Sequence, residues 1–393
     1  MRVLGLIGLS LLVACGGGAP ELREDVTAAA EIAAAPPPIP EAKRYSAKTF
    51  FETTSVFGAS FSADGTRILY TSDEGGVFNV WSIPVKGGKG TQLTQSTTDA
   101  RFSQGYFPKD DRFLYTGDQG GNEENHLYVR NLDGKEKDLT PGKKLKAVFG
   151  GFSRDGKHFY VWSNERDPKF FDLYRYKSDG YKRKRVFTNK KGWSPGAVDP
   201  KGRYVAVGKV RNNADSDIYL INLKRPKAKA KHITKHKGNA THSALQFTPD
   251  GRSLVYLTNA HGEFTQAWTY DLKKKTHSEF VKRDWDVRYV GYSWNGKYYL
   301  VSINEDAKSK VEMFESSTDT AVPMPKLPVG DVRSLHINKA EDRLAVYVSG
   351  DREPSNLYTL EVGDSAAAKL TETKNPEMNL DDLVDTEIGR AHV

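Results

Sequence analysis

The chain has 393 residues, of which 11% are aromatic and 27% charged, with 35 glycines, 19 tyrosines and a formal net charge of +8. Many short aromatic strands joined by tight turns suit that composition, and a helical bundle does not. The one cysteine excludes an intramolecular disulfide and a thiolate-rich zinc site.

Taken from the N-terminus, Met1-Arg2 followed by an apolar run reads as a signal peptide over residues 1–14. About a dozen apolar residues is short for a hydrocarbon core of ~30 Å. Leu12-Val13-Ala14-Cys15 resembles the lipobox of bacterial lipoproteins. That resemblance implies cleavage before Cys15, a diacylglycerol on its sulfur and a membrane contact through that lipid. Residues 15–44 are Ala-, Pro- and Gly-rich without an apolar period, so a flexible tether is expected.

Residues 45–374 contain seven copies of one pattern: an aromatic or aliphatic residue, a turn pair, then Lys, Arg or Thr leading into a hydrophobic strand. With the second turn residue placed at 65, 111, 156, 202, 251, 296 and 342, the copies are spaced by 46, 45, 46, 49, 45 and 46. Asp64-Gly65, Asp155-Gly156, Asp250-Gly251 and Asn295-Gly296 supply the positive φ of a tight hairpin, whereas Asp110-Asp111 and Glu341-Asp342 depart from that chemistry. An alternating strand follows each turn, with Ile, Tyr and Val expected on one buried face, as in the strand beginning at Arg67. A third strand carries motifs such as Leu127-Tyr128 and Leu357-Tyr358, and a short fourth ends at pairs such as Leu93-Thr94, Leu139-Thr140 and Leu370-Thr371. Four strands per repeat and seven repeats predict an all-β, seven-bladed β-propeller of four-stranded blades.

Several motifs carry less than they first suggest. Gly192-Trp193-Ser194-Pro195-Gly196 fits the G-x-S-x-G pattern of a nucleophile elbow, but such an elbow turns from a strand straight into a helix, and here another blade strand follows. Ser194 is therefore read as non-catalytic. The nine histidines show no clustered ligand spacing, so neither a metal site nor a cofactor is expected. The basic stretches 181–185 and 224–231 lie about one repeat apart and read as solvated charge on outer strands or loops. Export argues against a nucleic-acid partner for them.

Four stretches carry a more specific resemblance: Tyr45 to Phe51, Asp118 to Glu124, Asn164 to Tyr174, and Pro354 to Tyr358. Together they resemble the prolyl oligopeptidase family of serine peptidases, especially its bacterial dipeptidyl-aminopeptidase and acylaminoacyl-peptidase-like members. The resemblance spans roughly residues 45 to 387 and implies an α/β-hydrolase domain after the propeller. The chain has no room for that domain, so no catalytic residue is assigned. Residues 375–387 resemble the start of the linker that leads to it. Residues 388–393 are read as a sequencing artefact, because GAG ATC GGA AGA GCA CAC GTC encodes Glu387 to Val393 and resembles a common sequencing adapter. By the same resemblance Glu123 and Glu124 would hold the free amino terminus of a peptide, and Arg166 a substrate carbonyl or carboxylate. Alternatively the two glutamates only cap a hairpin or pair with an arginine, and Arg166 pairs with Asp172.

The expected role is that of the non-catalytic propeller of an exported, lipid-anchored serine peptidase, gating and orienting short peptides for the missing hydrolase domain. The other reading is a stand-alone propeller of the Tol-associated type that binds protein partners. A polysaccharide-active propeller would need clustered inward carboxylates, which a sequence does not display.

Overall fold

The computed structural model describes residues 43–225, 228–328 and 330–385. The expected signal peptide, Cys15, nearly all of the tether, Glu387 and residues 388–393 lie outside the described residues.

Seven antiparallel sheets follow one another along the chain, each built from consecutive strands. They span 56–92, 101–138, 147–187, 204–232, 242–281, 286–322 and 331–369, and form a seven-bladed β-propeller. Six blades have four strands, as expected, and the fourth has three. In blade four the first strand is reduced to two isolated bridges, Ser194 with Gly208 and Val198 with Val205. Pro195, between them, has no N–H to give a ladder. Gly196 runs so close to the neighbouring strand that a Cβ there would lie 2.2 Å from the Ala206 carbonyl oxygen. The stretch that imitates a nucleophile elbow is thus a damaged inner strand, and Ser194 is engaged through its backbone.

The turn between first and second strands recurs with one geometry, and the structure moves two of the sequence positions. Phe61 pairs with Ile68 in blade one, Tyr106 with Phe113 in blade two and Ile337 with Leu344 in blade seven. By that register the counterparts of Gly65 are Asp110 and Glu341, one residue before the positions assigned from the sequence. Glu341 takes the left-handed backbone (φ 62) like the glycines. Its carboxylate accepts from the backbone N–H groups of Asn295 and Gly296 at 2.6 and 3.0 Å, which offsets the strain of a side chain at that φ. The blade-two turn avoids positive φ at this position; Asp110 instead accepts from the Arg112 N–H at 3.1 Å and grips its guanidinium.

The central strands are buried on both faces rather than the single one expected. Phe113–Gly117 is buried at every residue. In blade one Ile68 and Tyr70 pack with Ala345 and Tyr347 of blade seven, whereas Leu69, between them, packs with Tyr106, Phe113 and Tyr115 of blade two. Period two therefore sends alternate side chains into two different cores, because each blade is sandwiched between neighbours. Among the described residues no strand is exchanged between blades one and seven. That seam is closed by apolar packing among Val56, Tyr70, Trp81, Tyr347 and Leu357 and by the Tyr347 hydroxyl, which donates to the Gly58 carbonyl at 3.3 Å.

The closing threonines have a shared task. The N–H groups of Val80, Leu127, Ile218 and Leu357 donate to the hydroxyls of Thr94, Thr140, Thr234 and Thr371 at 2.8–2.9 Å, tying each third strand to the segment that leaves its blade. The residue before each donor assists where it is Asn79 or Asn356, whose carbonyl oxygens accept from Thr94 and Thr371. These buried groups are paired internally, as the cost of desolvating them requires.

Candidate functional site

The meander gives the ring two unlike ends. Turns between first and second, and third and fourth, strands lie at one end, here called the turn face. Loops between second and third strands and the blade-to-blade connections lie at the other, the loop face. The chain enters and leaves at the loop face. A short helix, Ala47–Phe51, is capped by Ser46, whose hydroxyl accepts from the Thr49 N–H at 3.2 Å. Against it packs the segment from Asn375 to Asp385. The Asn375 amide donates to the Thr49 carbonyl at 2.9 Å, the Asn379 N–H to the Tyr45 hydroxyl at 2.9 Å, and Tyr45 in turn donates to Asp382.

The first strands line a central channel. Bulges interrupt the pairing of first with second strands at Phe57/Ser60, Ser103/Gly105, Ala244/Gln246, Val287/Tyr289 and Val332/Ser334. A bulge increases local twist and re-aims side chains, which suits strands converging on an axis. A cavity of about 380 Å³ is bordered by Arg154, Gln246, Tyr289, Trp294 and His336, from blades three, five, six and seven. A smaller one of about 190 Å³ lies beside Ser60, Gln104 and Phe149, and Trp294 borders both. Burial pushes the His336 imidazole down to about 4.

The residues singled out from the sequence sit on the loop face. Glu123 and Glu124 lie between the second and third strands of blade two, with Glu123 in the left-handed region (φ 58). The backbone N–H groups of Glu123 and Glu124 donate to Asp118 at 2.8 Å and Asn122 at 2.9 Å, so the loop is self-braced. The Glu123 side chain is 83% exposed, with the Lys146 ammonium 3.8 Å away. Arg166, in the corresponding loop of blade three, grips fully buried Asp172 through Nε at 2.6 Å and Nη2 at 3.0 Å, and Nη2 also donates to the Asn189 carbonyl at 2.6 Å. These hydrogen bonds to Asp172 raise the guanidinium pKa above its ordinary value. Asp172 also accepts from the Asn189 N–H at 2.8 Å, at the ladder position held by Asn79 and Asn356 in blades one and seven. The Arg166–Asp172 pair thus belongs to the closure of blade three.

Sequence reasoning gave no notice of a different concentration on this face. Phe50, Phe51, Phe57, Val148, Val210 and Val384 are exposed there, Phe51 by 89%. Phe57, Phe78 and Phe102 form a cluster with ring centroids 5.4–5.9 Å apart. The basic stretch 181–185, by contrast, leads into the outer strand Arg183–Phe187, as expected of solvated edge charge.

Comparison with known proteins now adds the family. Residues 91–373 match the family model described as prolyl oligopeptidase, N-terminal beta-propeller domain. A dipeptidyl aminopeptidase BIII of Pseudoxanthomonas mexicana is 37% identical over 121 residues, 29% of this chain and 17% of that protein. Among solved structures, a prolyl endopeptidase superposes with a TM-score of 0.64 at 17% identity, covering 84% of this chain and 51% of its own. A puromycin-hydrolysing peptidase of Mycobacterium tuberculosis gives 0.65 at 12% identity, covering 83% of this chain and 54% of its own. An oligogalacturonate lyase gives 0.59 at 14% identity, covering 79% of this chain and 90% of its own; these three likenesses show the fold alone. The chain spans about half the length, or less, of the peptidases it resembles. With most of its length matched by that model, this chain belongs to the prolyl oligopeptidase family and carries the family's N-terminal β-propeller.

Proposed function

We propose that this propeller gates and orients short peptides for a serine peptidase domain that follows it in the parent protein, and that the chain itself hydrolyses nothing. The observation that carries the reading is the loop face: entry and exit segments pack together there, beside exposed Phe51 and the Phe57–Phe78–Phe102 cluster. Apolar surface gathered where the chain leaves the ring is what a second domain would cover. A channel narrow enough to be crossed by single side chains would exclude folded proteins. In this reading Glu123 and Glu124 offer exposed carboxylates to a peptide's ammonium group, and Arg166 orients a peptide carbonyl from its place on Asp172. Export and anchoring through Cys15 complete the proposal. Family membership speaks against the stand-alone partner-binding alternative.

The test is to sequence the genomic locus from the codon for Glu387 onward for about a kilobase, the span of a hydrolase domain of a couple of hundred residues. A continuing frame encoding a strand, Gly-x-Ser-x-Gly, a helix, then an acid and a histidine supports the reading. A genuine stop codon after Val393 overturns it.

A further inference from the structure

The third residue of the pattern at each first-to-second turn occupies one structural position around the turn-face mouth: Ala63, Pro108, Arg154, Pro200, Pro249, Trp294 and Lys339. Four of these are small or cyclic, so the mouth is filled by the other three. Arg154 and Trp294 come from blades three and six, far apart around the ring, yet the guanidinium carbon lies 5.5 Å from the indole centroid. The Lys339 ammonium lies 5.9 Å from the same ring and donates to the Pro108 carbonyl at 3.0 Å, spanning from blade seven to blade two. These contacts cross the channel mouth at the turn face, where Arg154 and Trp294 border the cavity of about 380 Å³.

The charge at that end is unbalanced. Among the described residues the Arg154 guanidinium makes one hydrogen bond, from Nη1 to the Ser293 carbonyl at a long 3.5 Å, and no carboxylate pairs with it. Glu341, the nearby acid, is committed to the Asn295 and Gly296 N–H groups. Among the described residues no Asp or Glu borders the cavity. Burial lowers the Arg154 pKa, and the Glu341 charge offsets that only in part. A guanidinium fork with free donors matches a carboxylate in two parallel bonds, and an indole face beside it matches an apolar side chain.

We propose that the turn-face end of the channel, built by Arg154, Trp294, Gln246 and Tyr289, binds a carboxylate carried next to an apolar group, as at the C-terminal residue of a short peptide. The site does not depend on the gating role: it stands or falls on the channel of this chain, without a hydrolase domain. Inorganic phosphate shares the anionic chemistry and is the competing source.

Isothermal titration of the full chain with N-acetyl-alanyl-phenylalanine, its C-terminal amide and inorganic phosphate decides. The free acid is expected to bind about ten-fold more tightly than the amide, and about ten-fold less tightly to Arg154→Gln, as loss of a charge-assisted pair requires. Lys273→Gln, on the outer surface, should bind like the unaltered chain. Equal affinity for acid and amide, or an unchanged Arg154→Gln, overturns the proposal, and so does phosphate binding more tightly than the acid. If Arg154→Gln does not fold, the acid-to-amide ratio on the unaltered chain decides alone.

Discussion

Arg166 shows how a residue acquires two readings. In the sequence it stands in a stretch shared with peptidases; in the structure both its Nε and its Nη2 are spent on buried Asp172. Asp172→Ala should therefore destabilise the fold by about 3 kcal/mol in urea unfolding, because it strips Arg166 and the Asn189 N–H of their partner together. The alternative of an Arg166–Asp172 pair was legible from their proximity in sequence. The burial that makes it structural was not, since it depends on the segment that leaves the blade, where the Asn189 N–H meets Asp172. His336 bears on acid stability. Its folded-state pKa of about 4 lies below the ordinary 6.5, so its contribution is complete above pH 6.5 and is lost as pH falls toward 4. Urea midpoints between pH 7.5 and 4.5 should fall more steeply for the unaltered chain than for His336→Gln. Equal slopes would remove the imidazole from the account.

At the scale of strands and turns, the sequence was informative wherever local chemistry dictates geometry. Four Asp-Gly or Asn-Gly pairs and Lys201-Gly202 fix five turns because glycine alone reaches positive φ without cost, and all five glycines adopt it. The two turns without glycine were misplaced by one residue: with no glycine to anchor them, Asp111 and Asp342 looked equivalent to their predecessors. Only pairing such as Tyr106 with Phe113 separates the choices. Blade four lost its inner strand for a reason visible in Pro195, whose effect on the ladder the repeat pattern concealed. Gly196 holds what remains of that strand against its neighbour. Gly196→Ala should cost about 2 kcal/mol by driving the backbone off the Ala206 carbonyl, read as a lower urea midpoint with an unchanged slope. A neutral outcome would mean that the segment floats free of the blade.

For the whole molecule, the repeat count and spacing make the ring legible in the sequence, because seven similar units that cannot bury their faces alone must stack. The channel was not legible. Which turn residues meet across it depends on closure, and Arg154 and Trp294 are 140 positions apart. Closure rests on the seam between blades one and seven. Leu357, fully buried there, should cost about 3 kcal/mol as Leu357→Ala. Hydrogen exchange along Val56–Phe61 should quicken more than exchange along the inner strand of blade five, His242–Phe247; uniform acceleration would mean that the ring opens everywhere at once.

Because each sheet is made of consecutive strands, nearly every strand pairing forms between residues separated by less than one repeat. Loop closure of that length costs little, and all-β chains that must await distant partners fold slowly. This chain need not wait: each blade can pair its strands as it emerges from a ribosome or a narrow pore, and then serve as the platform for the next. The last step, in which Tyr347 and Leu357 meet Val56 and Tyr70 and the exit segment meets the N-terminal helix, joins the two ends of the polypeptide. A nascent chain stalled before residue 331 should therefore already hold protected strands, its first blade exposing the flank that the seventh will later cover.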